Sequence, residues 1–159
     1  MNPDDFAASR VFPTRWADND VYGHMNNTVH YQMFDTMING WLARNAPEAK
    51  DAVNVVAESG CRYFAEVGFP DDVLLGVSVE RLGTSSVTYT LGLFSQPADG
   101  APPVLAAQGH WVHVYIDPET RRPAAVPEGI RTALKTLLRE PAVPDAEKRA
   151  TAWGSDTAS

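Results

Sequence analysis

The chain has 159 residues, of which 44% are hydrophobic and 21% are charged, and its formal net charge is −7. That length suits about one domain, and the acidic balance argues against a nucleic-acid partner, which would need a basic patch. Because Cys61 is the only cysteine, no internal disulfide can form, which fits a cytoplasmic protein. The sequence shows neither a signal-peptide pattern nor an apolar run of membrane-spanning length, so we expect no membrane association.

A β segment and a loop are the first predicted elements. Residues 9–17 have β character, and Pro13 within them favours an edge strand or a bulge over a central strand. Residues 18–25 form the loop, in which Gly23 can supply a backbone angle that other residues resist.

A buried helix is predicted from Thr28 to Leu42, capped by Asn26 or Asn27, whose short side chains can accept a hydrogen bond from an orphan amide. Apolar side chains form two adjacent stripes at helical spacing. The first contains Met33, Met37 and Trp41, and the second contains Phe34, Ile38 and Leu42. Because these stripes cover most of the girth, the pattern indicates burial rather than a surface position.

From Val53 onward the pattern changes to a period of two. Alternation within residues 61–67, 73–80, 87–93 and 106–115 predicts four strands with short connections, which makes them antiparallel. A short second helix is predicted within residues 127–138. One helix against such a sheet is an α+β arrangement, and the Pro- and Ala-rich residues 141–159 are expected to form a flexible tail.

The most informative segment is residues 20–27, which combine a carboxylate, a glycine turn and two asparagines directly before the helix. A helix start presents free N–H groups and the positive end of the helix dipole. A carboxylate held there can attack a carbonyl that the helix polarises, or activate water against it. This arrangement suits the hydrolysis of an activated ester.

The pattern Asp-x-x-Gly-His-x-Asn-Asn, with a β segment before it and an aromatic-rich helix after it, resembles that of the hot-dog thioesterases. The closest resemblance is to the 4-hydroxybenzoyl-CoA thioesterases and the YbgC-like acyl-CoA thioesterases. The similarity extends over about residues 8–138 and includes Arg15–Asp20, Phe34–Thr36, Val112–Asp117 and Arg122–Pro123. It implies one hot-dog domain over residues 1–140, with a five-stranded antiparallel sheet wrapped around a long central helix. It also implies a homodimer paired edge to edge, often stacked into a homotetramer, with the active site at the dimer interface.

The resemblance also implies roles for individual residues. Asp20 matches the catalytic carboxylate, Gly23 matches the glycine of the motif, and Asn27 matches the residue whose backbone amide binds the thioester oxygen. For His24, also placed in the catalytic group, bracing the loop that aims Asp20 is preferred to direct participation. Whether Asp20 acts as a nucleophile or as a general base stays open.

Two further sets of residues are expected to bind the substrate. By similarity to where the family binds the nucleotide of coenzyme A, the candidates are Arg81, Thr84, Ser85 and Ser86. The expected acyl-pocket wall contains Tyr22, Tyr31 and Phe64. We expect no cofactor, because coenzyme A is part of the substrate, and no metal, because no histidine pair has suitable spacing with a carboxylate.

The leading hypothesis is a cytoplasmic thioesterase that hydrolyses an acyl-CoA to free acid and CoA. Release of an acyl group from an acyl carrier protein is an alternative, disfavoured by the acidic chain, and a non-catalytic acyl-CoA-binding protein is another. His30 replaces a more usual apolar or aromatic residue, and it either lies near the acyl pocket or faces the partner subunit. Cys61 is expected to be a small core residue.

Overall fold

The computed structural model describes residues 1–140, so the tail expected at residues 141–159 lies outside the described part. The strands are β1 (Ala8–Phe12), β2 (Val53–Tyr63), β3 (Asp72–Leu82), β4 (Ser86–Gln96) and β5 (Val104–Ile116). The helices are α1 (Asn27–Asn45) and α2 (Glu128–Lys135), and short 3₁₀ turns occur at Pro3–Asp5, Trp16–Asp18 and Pro47–Lys50. The α+β class expected from the sequence is confirmed.

All five strands belong to one antiparallel sheet with the order β1-β3-β4-β5-β2. The expectation drawn from Pro13 is confirmed, because β1 ends at Phe12 and lies at one edge of the sheet. The other edge is β2, an 11-residue strand with mostly exposed side chains. β2 also ends earlier than the alternation over residues 61–67 indicated, since its last residue is Tyr63.

The core lies between α1 and one face of the sheet. Alternate residues of β3 and β4 that face α1 are fully buried, namely Val73, Leu75, Val77, Val79, Val87 and Leu91. Phe34 of α1 packs over Gly109 of β5, where an added Cβ atom would come within 2.8 Å of the Phe34 ring. The glycine therefore allows the helix to approach the sheet closely.

The prediction that α1 is buried around most of its girth is wrong for the single chain. Its buried residues are Val29, His30, Phe34, Met37, Ile38 and Leu42. Asp35, Thr36 and Asn39 on the other side are exposed, while Met33 and Trp41 are only partly buried. The reason is geometric, since one sheet can cover only one face of a helix.

Candidate active site

The loop between β1 and α1 is held in a tight conformation by its own backbone. The N–H of Asp20 donates to the carbonyl of His24 at 2.8 Å, and the N–H of Gly23 donates to the carbonyl of Asp20 at 3.1 Å. Gly23 has a φ of 82°, and no atom lies within 4 Å of where its Cβ would be. The motif glycine is therefore required for its backbone angle rather than for space.

Two side chains at the start of this loop fix it to the rest of the protein. Asn19 forms a pair of hydrogen bonds with the backbone of Phe69, receiving one from its N–H at 3.0 Å and donating one to its carbonyl at 3.3 Å. The buried Asp18 accepts from the backbone N–H and the guanidinium of Arg15, while its own carbonyl accepts from the N–H of Asn26. No sequence pattern indicated the role of Asn19, because its partner is 50 residues away.

The first turn of α1 leaves one backbone donor available. The side-chain oxygen of Asn26 accepts from both the N–H and the hydroxyl of Thr28, each at 3.0 Å, so Asn26 rather than Asn27 is the cap. For the N–H of Asn27, by contrast, residues 1–140 provide no hydrogen-bond acceptor. This N–H lies at the positive end of the helix dipole, where it can bind an anionic oxygen.

Asp20 and Asn27 line the same open cleft, which has a volume of about 910 Å³. Tyr22 and His24 of the loop line it too, and so do His30 of α1 and residues 61–67 at the end of β2 and beyond. The structure thus brings together five of the residues expected at the site: Asp20, Tyr22, His24, Asn27 and Phe64.

The Asp20 carboxylate is oriented by a local hydrogen bond. Its Oδ1 accepts from the backbone N–H of Tyr22 at 2.8 Å, and within residues 1–140 its Oδ2 has no hydrogen-bond donor. The side chain of His24 contacts Glu66, since its Nε2 lies 3.1 Å from Oε2 of that residue. That contact joins the loop to the segment after β2, as the bracing interpretation of His24 requires.

His30 lies next to these residues and is 3% exposed. Its Nδ1 is 3.3 Å from the carbonyl oxygen of Asn26, and its ring meets the Tyr63 ring edge to face at a centroid distance of 5.0 Å. Burial lowers the pKa of the imidazole. In the single chain His30 lines the cleft, as expected for a residue near the acyl pocket, and its position relative to a partner subunit stays open.

The single chain does not bring every expected residue to this cleft. Tyr31 packs against Trp111 at a centroid distance of 5.2 Å and does not line the cleft, because it is rotated by about 100° from His30 along the helix. A wall containing Tyr31 is therefore not found in one subunit. Tyr63, which the sequence did not single out, takes a place in the lining instead.

The residues expected to bind the nucleotide also lie away from the cleft. Arg81 is the next-to-last residue of β3, Thr84 and Ser85 lie in the β3–β4 turn, and Ser86 begins β4. Ser86 pairs through the sheet with Val114 of β5, whereas the end of β2 at the cleft pairs with Ala107. The turn and the cleft are therefore at opposite ends of the strands within one subunit.

Cys61 is half-buried and packs against the edge of the core, as a small core residue would. It also lines the cleft, a position that the sequence did not predict. Burial raises the pKa of its thiol. Because the thiolate is the nucleophilic form, this shift disfavours a catalytic role for Cys61.

Residues 1–140 contain no group of three or more histidine, cysteine or carboxylate side chains arranged to hold a metal ion. Among the helices described, none combines the length and the apolar character that crossing a membrane requires.

An antiparallel sheet packed on a long helix is the hot-dog fold, and in this chain one cleft of that fold contains a carboxylate and a free helix N-terminus. The family model of the Thioesterase-like superfamily matches residues 14–134. The chain belongs to this superfamily.

Solved structures show the same fold. The PA5185 protein from Pseudomonas aeruginosa strain PAO1 is 36% identical, with a TM-score of 0.79, covering 88% of this chain and 97% of that chain. A thioesterase from Thermus thermophilus, complexed with coenzyme A and Zn, is 27% identical, with a TM-score of 0.71 and coverage of 87% and 99%. A predicted thioesterase from Bacillus stearothermophilus is 25% identical, with a TM-score of 0.73 and coverage of 84% and 98%. A comparison with curated proteins finds no match.

Proposed function

We propose that the protein is a thioesterase that hydrolyses acyl-CoA to a free acid and CoA. The observation that carries the proposal is the presence of the Asp20 carboxylate and the unsatisfied N–H of Asn27 in one cleft. The first supplies a base or nucleophile, and the second supplies an electrophilic contact for the thioester carbonyl. The finer assignment to the 4-hydroxybenzoyl-CoA or YbgC-like thioesterases is part of this proposal and follows from the motif at residues 20–27.

In the proposed reaction the carbonyl oxygen accepts a hydrogen bond from Asn27, and negative charge develops on that oxygen as the carbonyl carbon is attacked. One such donor stabilises an oxyanion by roughly 3 kcal/mol. Asp20 either removes a proton from an attacking water, or attacks the carbon itself and forms a mixed anhydride that water then cleaves. In both routes the C–S bond breaks and the CoA thiolate leaves and takes up a proton.

Three observations support acyl-CoA hydrolysis over the alternatives. A thioesterase from Thermus thermophilus that is 27% identical to this chain binds coenzyme A. The net charge of −7 disfavours an acidic acyl carrier protein as the partner. A non-catalytic acyl-CoA-binding protein is disfavoured because Asp20 is oriented in the cleft, which simple binding would not require.

We further propose that two subunits pair through β2. This strand is a long exposed edge, with Val55 36% and Val56 47% exposed, and such edges are ordinarily covered or paired. An edge-to-edge homodimer, alone or stacked into a homotetramer, would cover these residues. We place the enzyme in the cytoplasm, and neither a cofactor nor a metal enters the proposed reaction.

The test is the Asp20→Asn variant, assayed for thiol release on short, long and aromatic acyl-CoAs. Loss of a general acid–base group should reduce kcat at least about a hundredfold. Asp99→Asn is the matched control, because Asp99 also accepts a backbone hydrogen bond from two residues ahead, at 3.0 Å from Ala101, but does not line the cleft.

Retained turnover in Asp20→Asn would contradict the proposal, as would an equal loss in the Asp99→Asn control. Tight acyl-CoA binding by the wild type without thiol release would favour the non-catalytic alternative. Faster turnover on acyl-carrier substrates than on acyl-CoA would favour the carrier alternative.

A further inference from the structure

His30 is a polar group in the cleft that the proposed reaction does not use. It is 3% exposed and lines the same cleft as Asp20 and Asn27. A polar side chain buried to this extent is costly unless its hydrogen-bonding atoms find partners. One ring nitrogen, Nδ1, has a partner within residues 1–140, and the other does not.

The contact of Nδ1 determines the protonation of the ring. Nδ1 lies 3.3 Å from the carbonyl oxygen of Asn26. Since a carbonyl oxygen can only accept a hydrogen bond, Nδ1 carries the proton, and the neutral ring presents Nε2 as an acceptor. Burial lowers the pKa of the ring and favours this neutral form. In residues 1–140 no donor reaches Nε2, and it is not one of the polar atoms sealed from solvent.

The position of His30 along α1 limits how far this acceptor can lie from the N–H of Asn27. His30 follows Asn27 by three residues, so the two lie on the same helix face, and helical side chains lean toward the N-terminus. The oxygen of Asn26 and the nitrogen of Asn27 belong to one peptide unit. Given the contact at Nδ1, Nε2 is within roughly 8 Å of the Asn27 N–H.

We propose that His30 determines substrate specificity by selecting acyl thioesters with a hydroxyl group on the β carbon. Nε2 accepts a hydrogen bond from this hydroxyl while the Asn27 N–H holds the carbonyl oxygen. The inference rests on the proposed thioesterase function and names the acyl class that the site prefers.

This class has an aliphatic and an aromatic form. In a 3-hydroxyacyl group the hydroxyl is on the β carbon, and in a 2-hydroxybenzoyl group the ring carbon that bears it is also β to the carbonyl. A hydroxyl at position 4 of the ring is several ångströms farther from the carbonyl oxygen. An upper limit of roughly 8 Å between the Asn27 N–H and Nε2 therefore favours the β position.

The experiment compares kcat/KM for matched pairs of CoA thioesters. The pairs are 3-hydroxybutyryl with butyryl, 2-hydroxybenzoyl with benzoyl, and 4-hydroxybenzoyl with benzoyl as the distant-hydroxyl control. The wild type should prefer the β-hydroxylated member of at least one of the first two pairs. In His30→Phe, which keeps an aromatic ring against Tyr63, this ratio should fall about three- to tenfold, the effect of one hydrogen bond.

Two further variants separate recognition from folding. His30→Gln retains a hydrogen-bond acceptor and should keep more of the ratio than His30→Phe. His110→Phe, which changes a half-exposed histidine of β5 outside the cleft, should keep the full ratio. Dissociation constants of the same pairs, measured by calorimetry on Asp20→Asn and on the double variant with His30→Phe, should show the same change in preference.

Several outcomes would overturn the inference. An unchanged ratio in His30→Phe would refute it, and so would an equal loss on both members of a pair, which would indicate that His30 positions water or supports the fold. The same effect on the 4-hydroxybenzoyl pair would refute the β position. If the wild type hydrolyses thioesters while His30→Phe leaves the ratio unchanged, the inference alone fails. Full turnover in Asp20→Asn instead refutes the proposed function.

Discussion

His113 should make the stability of the fold depend on pH below neutrality. It is 1% exposed on β5, and its ring packs against that of Tyr89 at a centroid distance of 5.3 Å. Neither ring nitrogen has a hydrogen-bond partner among residues 1–140. Burial lowers the pKa of the imidazole, and the carboxylate of Asp35 offsets only part of this effect. Protonating His113 in the folded chain is therefore unfavourable.

The sign of the effect follows from proton binding in the two states. An unfolded histidine titrates near pH 6.5 and the folded one at a lower pH, so between these values the unfolded state binds more protons. Stability is fully present above about pH 6.5 and falls by up to about 1.4 kcal/mol per pH unit below it, until the folded pKa is reached. Burial also lowers the pKa of His30, which contributes with the same sign. The two histidines together could contribute up to about 2.7 kcal/mol per pH unit.

Urea unfolding followed by circular dichroism at pH 7.5, 6.5 and 5.5, at one protein concentration, measures this dependence. His113→Phe removes the titrating ring but keeps its bulk, so it should lose a large part of the wild-type slope. The control variant His110→Phe, which changes a half-exposed histidine, should retain this slope. The range stays above pH 5 because backbone N–H groups lower the pKa of Asp117, whose contribution is lost only in stronger acid. An identical slope in wild type and His113→Phe, or a wild type that gains stability on acidification, would refute the reasoning.

Two further predictions concern packing and assembly. Gly109→Ala should lower the free energy of unfolding by about 1–3 kcal/mol, because the new Cβ meets the Phe34 ring at 2.8 Å. Denaturant unfolding measures this change, and an unchanged unfolding midpoint would contradict the prediction. Replacing both Val55 and Val56 by Lys should weaken the proposed dimer at least about tenfold, because charges then replace apolar side chains on both subunits. Sedimentation measures that change, and an unaltered association would argue against pairing through β2.

The fold was predictable because its signals are local. The alternation in β3 to β5 indicates a sheet with one face against the core. Pro13 indicates an edge strand, because proline has no N–H to donate to a neighbouring strand. The prediction that α1 is buried around most of its girth was wrong for the single chain. Apolar stripes show that a helix face avoids water, but they do not show whether a single chain provides the cover, and Asp35 and Asn39 remain exposed in this one.

The site was predictable where it is contiguous in sequence. Asp20, Gly23 and Asn27 lie within eight residues, so turn and cap chemistry alone places them together. Contacts across long sequence separations were not predictable. Asn19 braces the loop through Phe69, and the position of His30 in the cleft is defined by Tyr63 at the end of β2. Such contacts depend on the register of the sheet, which periodicity does not fix to one residue.

The proposed dimer accounts for the distance between the cleft and the β3–β4 turn. Two-fold pairing of edge strands is antiparallel, so the Tyr63 end of β2 in one subunit would meet the Val53 end of β2 in the other. The β3–β4 turn lies at the same end of the strands as Val53, because β5 places Val114 opposite Ser86 and Ile116 opposite Val53. The turn of one subunit would then lie at the same end of the combined sheet as the cleft of its partner. In this arrangement the catalytic motif of one subunit and the expected nucleotide-binding residues of the other would lie at the same end of the sheet, whereas a single subunit keeps them at opposite ends.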